Sequence, residues 1–458
     1  MWGKRAGNGS SIEQRSPANG SLIQRTQLLD GAEIEALLRP CGDGFAISPA
    51  EMADFCARLH QALQERLSLL WEAKQLETGF VKSDCDELLE GILAYARDFP
   101  GTLSGAKAED APVFYSAEGQ KRRIRQLRAP WGTVAVILPQ SSALILGITC
   151  LLNALAAGNR VILRMPAQRQ RSAALFADAV AQARPPHDAV SIVLTRTQDF
   201  MKALYVAPAP VLVHYLGSSR YIPSLLSESF EHSKAMLCDG EGNVWVWIGA
   251  DADPDQAAAI LTQGALRYNG QTCTSINGAL IHPALYAEVR QRLLTRWNAL
   301  RCGDPLEGDP DVGPLMDLQQ AQWCLRRIKE SQGTILCGGN HRENLFFPTL
   351  VENPDWSSEL VTQGLFGAAL WLRSATAHEF AERWQSNRFS LCAGVISPEA
   401  APSWWLTRLS HLARLSLNGD PSSEYLFQPW GGYPASGSNP VSTWLEKYQR
   451  VVGVDERL

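Results

Sequence analysis

The chain has 458 residues, 45% of them hydrophobic and 19% charged, with a net charge of −5 and an isoelectric point near 6.0. That is enough apolar material for two or three domain cores, and the mildly acidic balance gives no electrostatic footprint for nucleic acid or an anionic membrane. No apolar run reaches the ~18 residues of a membrane span; ten scattered cysteines, with no CxxC pair and no Cys/His spacing suited to zinc, point to a reduced, cytoplasmic protein without a metal site.

In chain order, residues 1–30 are polar and lack an apolar h-region, which predicts a disordered leader. From Ser48 to Phe99 the apolar residues Met52, Phe55, Leu59, Leu63, Leu67 and Leu70 recur at spacings of three and four, so two or three helices are expected, one of them stopped at the glycine of LETG (76–79). Residues 112–128 turn polar and extended. After Pro130 come an apolar strand ending at Pro139, an apolar helix stopped by Gly158, and a strand ending in RMP. Helix and strand then alternate to Leu216-Gly217-Ser218, which predicts an open, mostly parallel sheet whose ligand lies at the carboxyl ends of the strands. No GxGxxG turn is present, so spacing alone does not name that ligand.

The stretch RYNGQTCTSIN (267–277) is centred on Cys273. Glycine and small polar neighbours suit a turn from which a thiol can reach a ligand. Upstream, CDGEGN (238–243) is followed by an apolar strand and the acid-capped helix pattern DADPDQAAAILTQGAL, a path that returns the acidic cluster beside the sulfur. A second α/β series follows Cys273. The tail from Trp444 is extended and pairs in this reading with residues 112–128 as a two-stranded ribbon whose edges invite a second subunit.

Nine segments in order, LETG (76–79), PWGTVAVILP (130–139), ALAAGNRVILR (154–164), LGSS (216–219), DADPD (251–255), NGQTC (269–273), GDPLEGDPDVGPLMD (303–317), LFG (365–367) and PWGGYPASG (429–437), make the chain resemble the aldehyde dehydrogenase superfamily. The resemblance implies an α/β fold of two Rossmann-like open-sheet domains plus a β-ribbon oligomerisation element. It divides the chain into a leader (1–30), a cofactor-binding domain (31–111 and 129–238), a catalytic domain (239–435) and the ribbon (112–128 and 436–458). It implies a homodimer or homotetramer, NAD or NADP as cofactor, and a small aldehyde or acyl-thioester as substrate. Cys273 is then the nucleophile that forms a thioester. Leu138, Pro139, Arg164, Ala167, Gly217, Ser218 and Phe366 fall at family cofactor-binding positions.

Five positions depart from the family pattern. Counting 34 residues back from Cys273 puts Asp239 at the general-base glutamate, with Cys238 and Glu241 as alternatives; Ser141 replaces the oxyanion-holding asparagine, and Gly364 the glutamate that grips the nicotinamide ribose. Arg164 and Ala167 stand where a lysine and a glutamate usually meet the adenosine ribose, so NADPH is expected to be tolerated. The leading expectation is an NAD(P)-dependent oxidoreductase working between aldehyde and acyl levels. The alternatives are a reductive acyl-thioester reductase and a catalytically weakened scaffold subunit. Among the fourteen tryptophans, Trp245, Trp247, Trp404 and Trp405 are expected in core or interface and Trp430 at the substrate entrance.

Overall fold

A computed structural model describes residues 7–39, 44–103, 113–115, 121–208, 211–423 and 425–457. The first apolar runs line up as a parallel sheet of β1 (Thr133–Ile137), β2 (Arg160–Met165), β3 (Val190–Leu194), β4 (Val211–Leu216) and β5 (Ala235–Asp239), in the order β3-β2-β1-β4-β5. Every residue of β4 is buried, because helices cover both faces of a parallel sheet and leave no polar side to alternate with. One face packs under the helices Pro49–Gln64, Lys82–Asp98, Ala143–Ala156 and Gln170–Ala183; the other meets Gly31–Leu38 and Thr197–Val206. The strand order reverses between β1 and β4, which opens a crevice beyond their carboxyl ends.

The second sheet contains β6 (Val244–Ile248), β7 (Ile276–Ile281), β8 (Thr334–Cys337), β9 (Thr349–Glu352), β10 (Ala369–Ser374), β11 (Cys392–Ile396) and β12 (Arg414–Leu417), in the order β8-β9-β10-β7-β6-β11-β12, with only β8 antiparallel to its neighbour. Its core is built on indoles: Trp245 meets Trp371 and Trp384 edge to face, at ring separations of 5.3 and 6.0 Å. Gly278 lies opposite Trp371, and a Cβ there would enter the indole. Trp247 and Trp405 are buried as expected, whereas Trp430 stacks on Trp444 of the tail.

Two expectations need correction. Within the segment read as a disordered leader, Ser11–Arg15 and Leu22–Gln27 form an antiparallel hairpin; residues 1–6 lie outside the described chain. The hairpin is tied down by buried Gln14, which donates to the Gln168 carbonyl and accepts from the Gln170 N–H. Composition alone cannot register such long-range bonds. The ribbon, expected with two strands, has three: Lys121–Pro130 is central, flanked by Gln449–Arg457 and Val113–Tyr115. Residues 112, 116–120 and 458 of the expected ribbon lie outside the described chain. Among the described residues, no helix is long and apolar enough to cross a membrane.

Between ribbon and first sheet, the short helix Trp444–Lys447 drives Trp444 and Tyr448 into the first core. Lys447 Nζ reaches both oxygens of Asp239, at 3.1 and 3.0 Å, and His214 Nε2 meets Asp239 Oδ2 at 2.7 Å. Burial holds His214 below its usual range, so the neutral ring donates from Nε2 and accepts the Tyr448 hydroxyl at Nδ1. Burial alone would raise the Asp239 carboxyl, but Lys447, with His214, holds it at about 2.

Because that value lies below the ordinary 3.8, ionised Asp239 stabilises the fold above pH 3.8 and the contribution is lost as pH falls toward about 2. Lys447→Met removes the cation and strands the carboxylate. It is expected to lower the unfolding free energy at neutral pH by roughly 3–5 kcal/mol and to flatten the acid limb of a denaturant-unfolding series; equal stability of the two proteins would contradict this.

Candidate active site

The turn that carries Cys273 is held by side-chain bonds to the backbone. The helix Pro254–Leu266, capped by Asp253, ends at Arg267, and Tyr268 and Asn269 then adopt left-handed φ of 54° and 57°. Non-glycine residues rarely sit there, so surrounding contacts must impose the conformation. The Asn269 amide donates to the carbonyls of Gly79 and Pro314, each at 3.0 Å, and accepts the Gly313 N–H at 2.8 Å. Gln271 accepts the Met316 N–H, and Asp84 accepts the Tyr268 N–H at 3.0 Å. Gly270 (φ 71°) backs onto the Gly367 backbone with no room for a Cβ. Cys273 follows this clamp, half-buried and not in a disulfide.

Of the segment expected to return to the thiol, Gly242 comes back to the Cys273 backbone, while the Asp239 and Glu241 carboxylates pair with Lys447, His214 and Ser219. Strand β6 runs parallel beside β7, with Val244 opposite Ile276, and Gly242 packs so closely on the Cys273 carbonyl that a Cβ would collide with it. Gly242 therefore lies directly against the Cys273 backbone.

The LETG segment also has a physical role. Glu77 accepts the N–H groups of Arg171 and Ser172 and thus caps the helix Gln170–Ala183 from outside, while Gly79 takes the left-handed position that ends its own helix. Lys74, buried on the same helix, donates its ammonium to the Ser141 carbonyl at 2.8 Å; burial, with Arg169 nearby, brings it down to about 7.

Of the other expected residues, all but Phe366 follow or end strands of the first sheet. Leu138 N–H bonds to the Arg164 carbonyl at 3.1 Å and Pro139 follows at the end of β1. Arg164 is buried at the end of β2 and spends Nε on the Thr195 carbonyl; Ala167 is buried two residues beyond that strand. Gly217 and Ser218 follow β4, with Gly217 N–H on the Asp239 carbonyl and Ser218 accepting the Tyr215 hydroxyl. Ser141 is buried beside Ser142, their hydroxyl oxygens 3.4 Å apart. Phe366, half-buried, presents its carbonyl to Gln320.

Gly364 is an occupied position. Its φ is 65°, and a Cβ would run into Asn277 Oδ1 and crowd Asn243 Oδ1. Asn277 Oδ1 accepts the Leu365 N–H, and Asn243 donates to the Val361 carbonyl, so two asparagine side chains fill the space. Asp239, committed to Lys447 and His214, faces the tail. Glu241, at the cleft, accepts the Ser219 N–H at 3.0 Å and donates its own N–H to Ser219 Oγ at 2.9 Å. Sequence counting missed Lys74, His214 and Lys447, since isolated basic residues carry no pattern; Asn269 was visible within NGQTC.

This arrangement defines a class: an α/β protein with a ligand crevice at a sheet switch point and a clamped cysteine at the start of a strand in a second sheet. Residues 2–452 match the model of the aldehyde dehydrogenase family. Aspartate-semialdehyde dehydrogenase 1 of Pseudomonas canavaninivorans is 26% identical over 439 residues, covering 92% of this chain and 91% of that protein. Among solved structures, the NAD+ complex of an aldehyde dehydrogenase from Bacillus cereus superposes with a TM-score of 0.87 at 21% identity, covering 98% of this chain and 94% of that one. Glyceraldehyde-3-phosphate dehydrogenase from Methanocaldococcus jannaschii, complexed with NADP, gives 0.84 at 17%, covering 98% and 100%. At these identities the structural likeness speaks for the fold. The chain belongs to the aldehyde dehydrogenase family.

The crevice fits a dinucleotide in its chemistry: a basic guanidinium ends β2, glycine follows β4, and backbone N–H groups open the helix Ile222–Glu231. The carboxylate that would hold the nicotinamide ribose is missing at Gly364.

Two substitutions test this description. Gly364→Ala combines a disfavoured φ with a clash on Asn277, and should destabilise by more than ~1 kcal/mol in denaturant unfolding; a neutral result would show the asparagines yield easily. Asp84 is raised to about 7, chiefly by burial, so the native state holds a proton between pH 3.8 and about 7 and pays for ionisation above that. Asp84→Asn keeps an oxygen for Tyr268 and should raise the melting temperature near pH 8 more than at a pH under 3.8, below both titrations; equal shifts at both values would refute the assignment.

Proposed function

We propose that the protein is an NAD(P)-dependent oxidoreductase that interconverts an aldehyde and an acyl group through a thioester on Cys273. The observation that carries this reading is the clamped, half-buried thiol with Gly242 pressed against its backbone. A turn fastened through Asn269, Gln271 and Asp84 fixes where the sulfur sits, so little ordering remains when a substrate carbonyl arrives. In the oxidative direction Cys273 Sγ bonds to the carbonyl carbon, and the carbon then loses hydride to leave a thioester. A nicotinamide cofactor, when bound, supplies the hydride acceptor, or the donor in reverse. Backbone N–H groups at the turn and the Ser141 hydroxyl are the candidate donors for the oxyanion.

Arg164, with Ala167 in place of an acid, leaves a 2′-phosphate without a carboxylate to repel it, which supports NADPH as an accepted cofactor. One observation favours the reductive direction. Hydrolysis needs a base to activate water, and Asp239, the residue at the counted position, is held by Lys447 and His214. A thioester that water attacks slowly is better suited to formation from an activated acyl group and reduction to the aldehyde. The small substrate and a homo-oligomer built through the ribbon belong to the same proposal.

The test follows reduced-cofactor absorbance with NAD+ or NADP+ plus an aldehyde panel, and with NADPH plus acyl-thioesters. Turnover is expected, and Cys273→Ala should lower it by about 10³-fold or more, the scale of losing a nucleophile. Turnover unaffected by that substitution would refute the thioester route, and activity with aldehydes and water alone would refute the reductive direction.

A further inference from the structure

Glu241 and Ser219 are joined twice, carboxylate to N–H and N–H to hydroxyl. Ser219 begins the turn Ser219–Tyr221 that leads into the helix Ile222–Glu231, immediately after the Gly217-Ser218 end of β4. Its N–H therefore belongs to the donors at a helix start, where partial positive charge favours an anion. An internal anion already holds that donor. The contact is also enforced from the backbone: Gly240 packs against Ser219 Oγ, and Gly242 against the Cys273 carbonyl. The Glu241 carboxylate further lies within electrostatic reach of Arg327, whose guanidinium donates to the Gly364 carbonyl at 2.9 Å. Segment 240–242 thus spans the cleft from the start of a first-domain helix to the nucleophile and to Gly364 in the second.

We propose that Glu241 is a self-occupying gate of the cofactor crevice: its carboxylate holds the Ser219 N–H that a dinucleotide phosphate would take, so binding requires the side chain to leave. The inference rests on the crevice being a nicotinamide-dinucleotide site. Two negative groups cannot share one N–H donor without repulsion, and any phosphate approaching Ser219 meets a fixed carboxylate. The gate accordingly weakens cofactor binding without touching the cysteine turn, whose fastening to Gly79, Gly313 and Pro314 is independent of Glu241.

The experiment is a fluorescence titration of the purified full-length protein with NADPH, for wild type, Glu241→Ala and Glu241→Gln. Glu241→Ala removes both charge and occupancy; Glu241→Gln removes the charge and keeps an oxygen for the N–H. NADPH affinity is expected to rise about tenfold for Glu241→Ala and by less for Glu241→Gln. Inorganic pyrophosphate should compete more effectively against NADPH on the alanine variant than on wild type. Ser219→Ala, which keeps the backbone donor but releases the Glu241 N–H, supplies a milder second route and should also tighten binding. Wild-type binding with no gain, or a loss, in both Glu241→Ala and Ser219→Ala overturns the gate while leaving the cofactor reading intact. Absence of NADPH binding by every folded form overturns both.

Discussion

Placement of the thiol depends on one amide side chain. Asn269, held at a left-handed φ, joins the Cys273 turn to the end of the LETG helix and to the loop at Gly313-Pro314. All three bonds of that amide are to backbone groups, so nothing in it can rotate away without leaving buried polar atoms unpaired. Gly79, Gly270 and Gly313 allow the approach: at each, a Cβ would strike a neighbouring segment. The cysteine is rigidly delivered because three distant pieces of chain meet on one residue. Asp84 and Gln271 extend the same fastening on either side.

Charge is arranged around this clamp in two separate buried groups. One, beneath the ribbon, is the Lys447–Asp239–His214–Tyr448 chain, in which a lysine from the tail neutralises the acid at the end of β5. The other gathers Lys74, Asp84, Glu77 and Arg169 behind the turn, where Arg169 donates to the carbonyls of Gln140 and Glu77. Buried ions of this kind stay charged only while their partners stay in place, so each group ties conformation to protonation. The tail therefore does more than extend the ribbon: Lys447 and Tyr448 complete the interior of the first domain.

The departures from the family pattern are coupled to one another in space. Gly364 is not an emptied position, since Asn243 and Asn277 occupy the volume above it and Arg327 binds its carbonyl. Asp239 is matched by Lys447, and Glu241 by Ser219. At Asp239, Glu241 and Gly364 the neighbouring polar groups are thus engaged with one another. This supports the proposal that cofactor entry rearranges the loop, whereas the cysteine turn is already in its final form.

Local patterns in the chain were enough for most of the helices and sheet strands and for the turn that carries Cys273. The period of three and four from Met52 to Leu70, the apolar runs closed by Pro139 and Gly158, and the glycine-bearing turn around Cys273 all report interactions within a few residues, where spacing translates directly into geometry. The strand-helix-turn pattern from Gly242 to Cys273 also matches the approach of that glycine to the Cys273 backbone. Only the tertiary structure decided the partners of the charged groups. Lys447 lies 208 residues from Asp239 and Gln14 lies 154 from Gln168, and no periodicity relates positions so far apart. Whether a carboxylate is free to act, is locked in an ion pair or sits on a helix N–H is set by which surfaces pack together, and that information resides in the folded core alone.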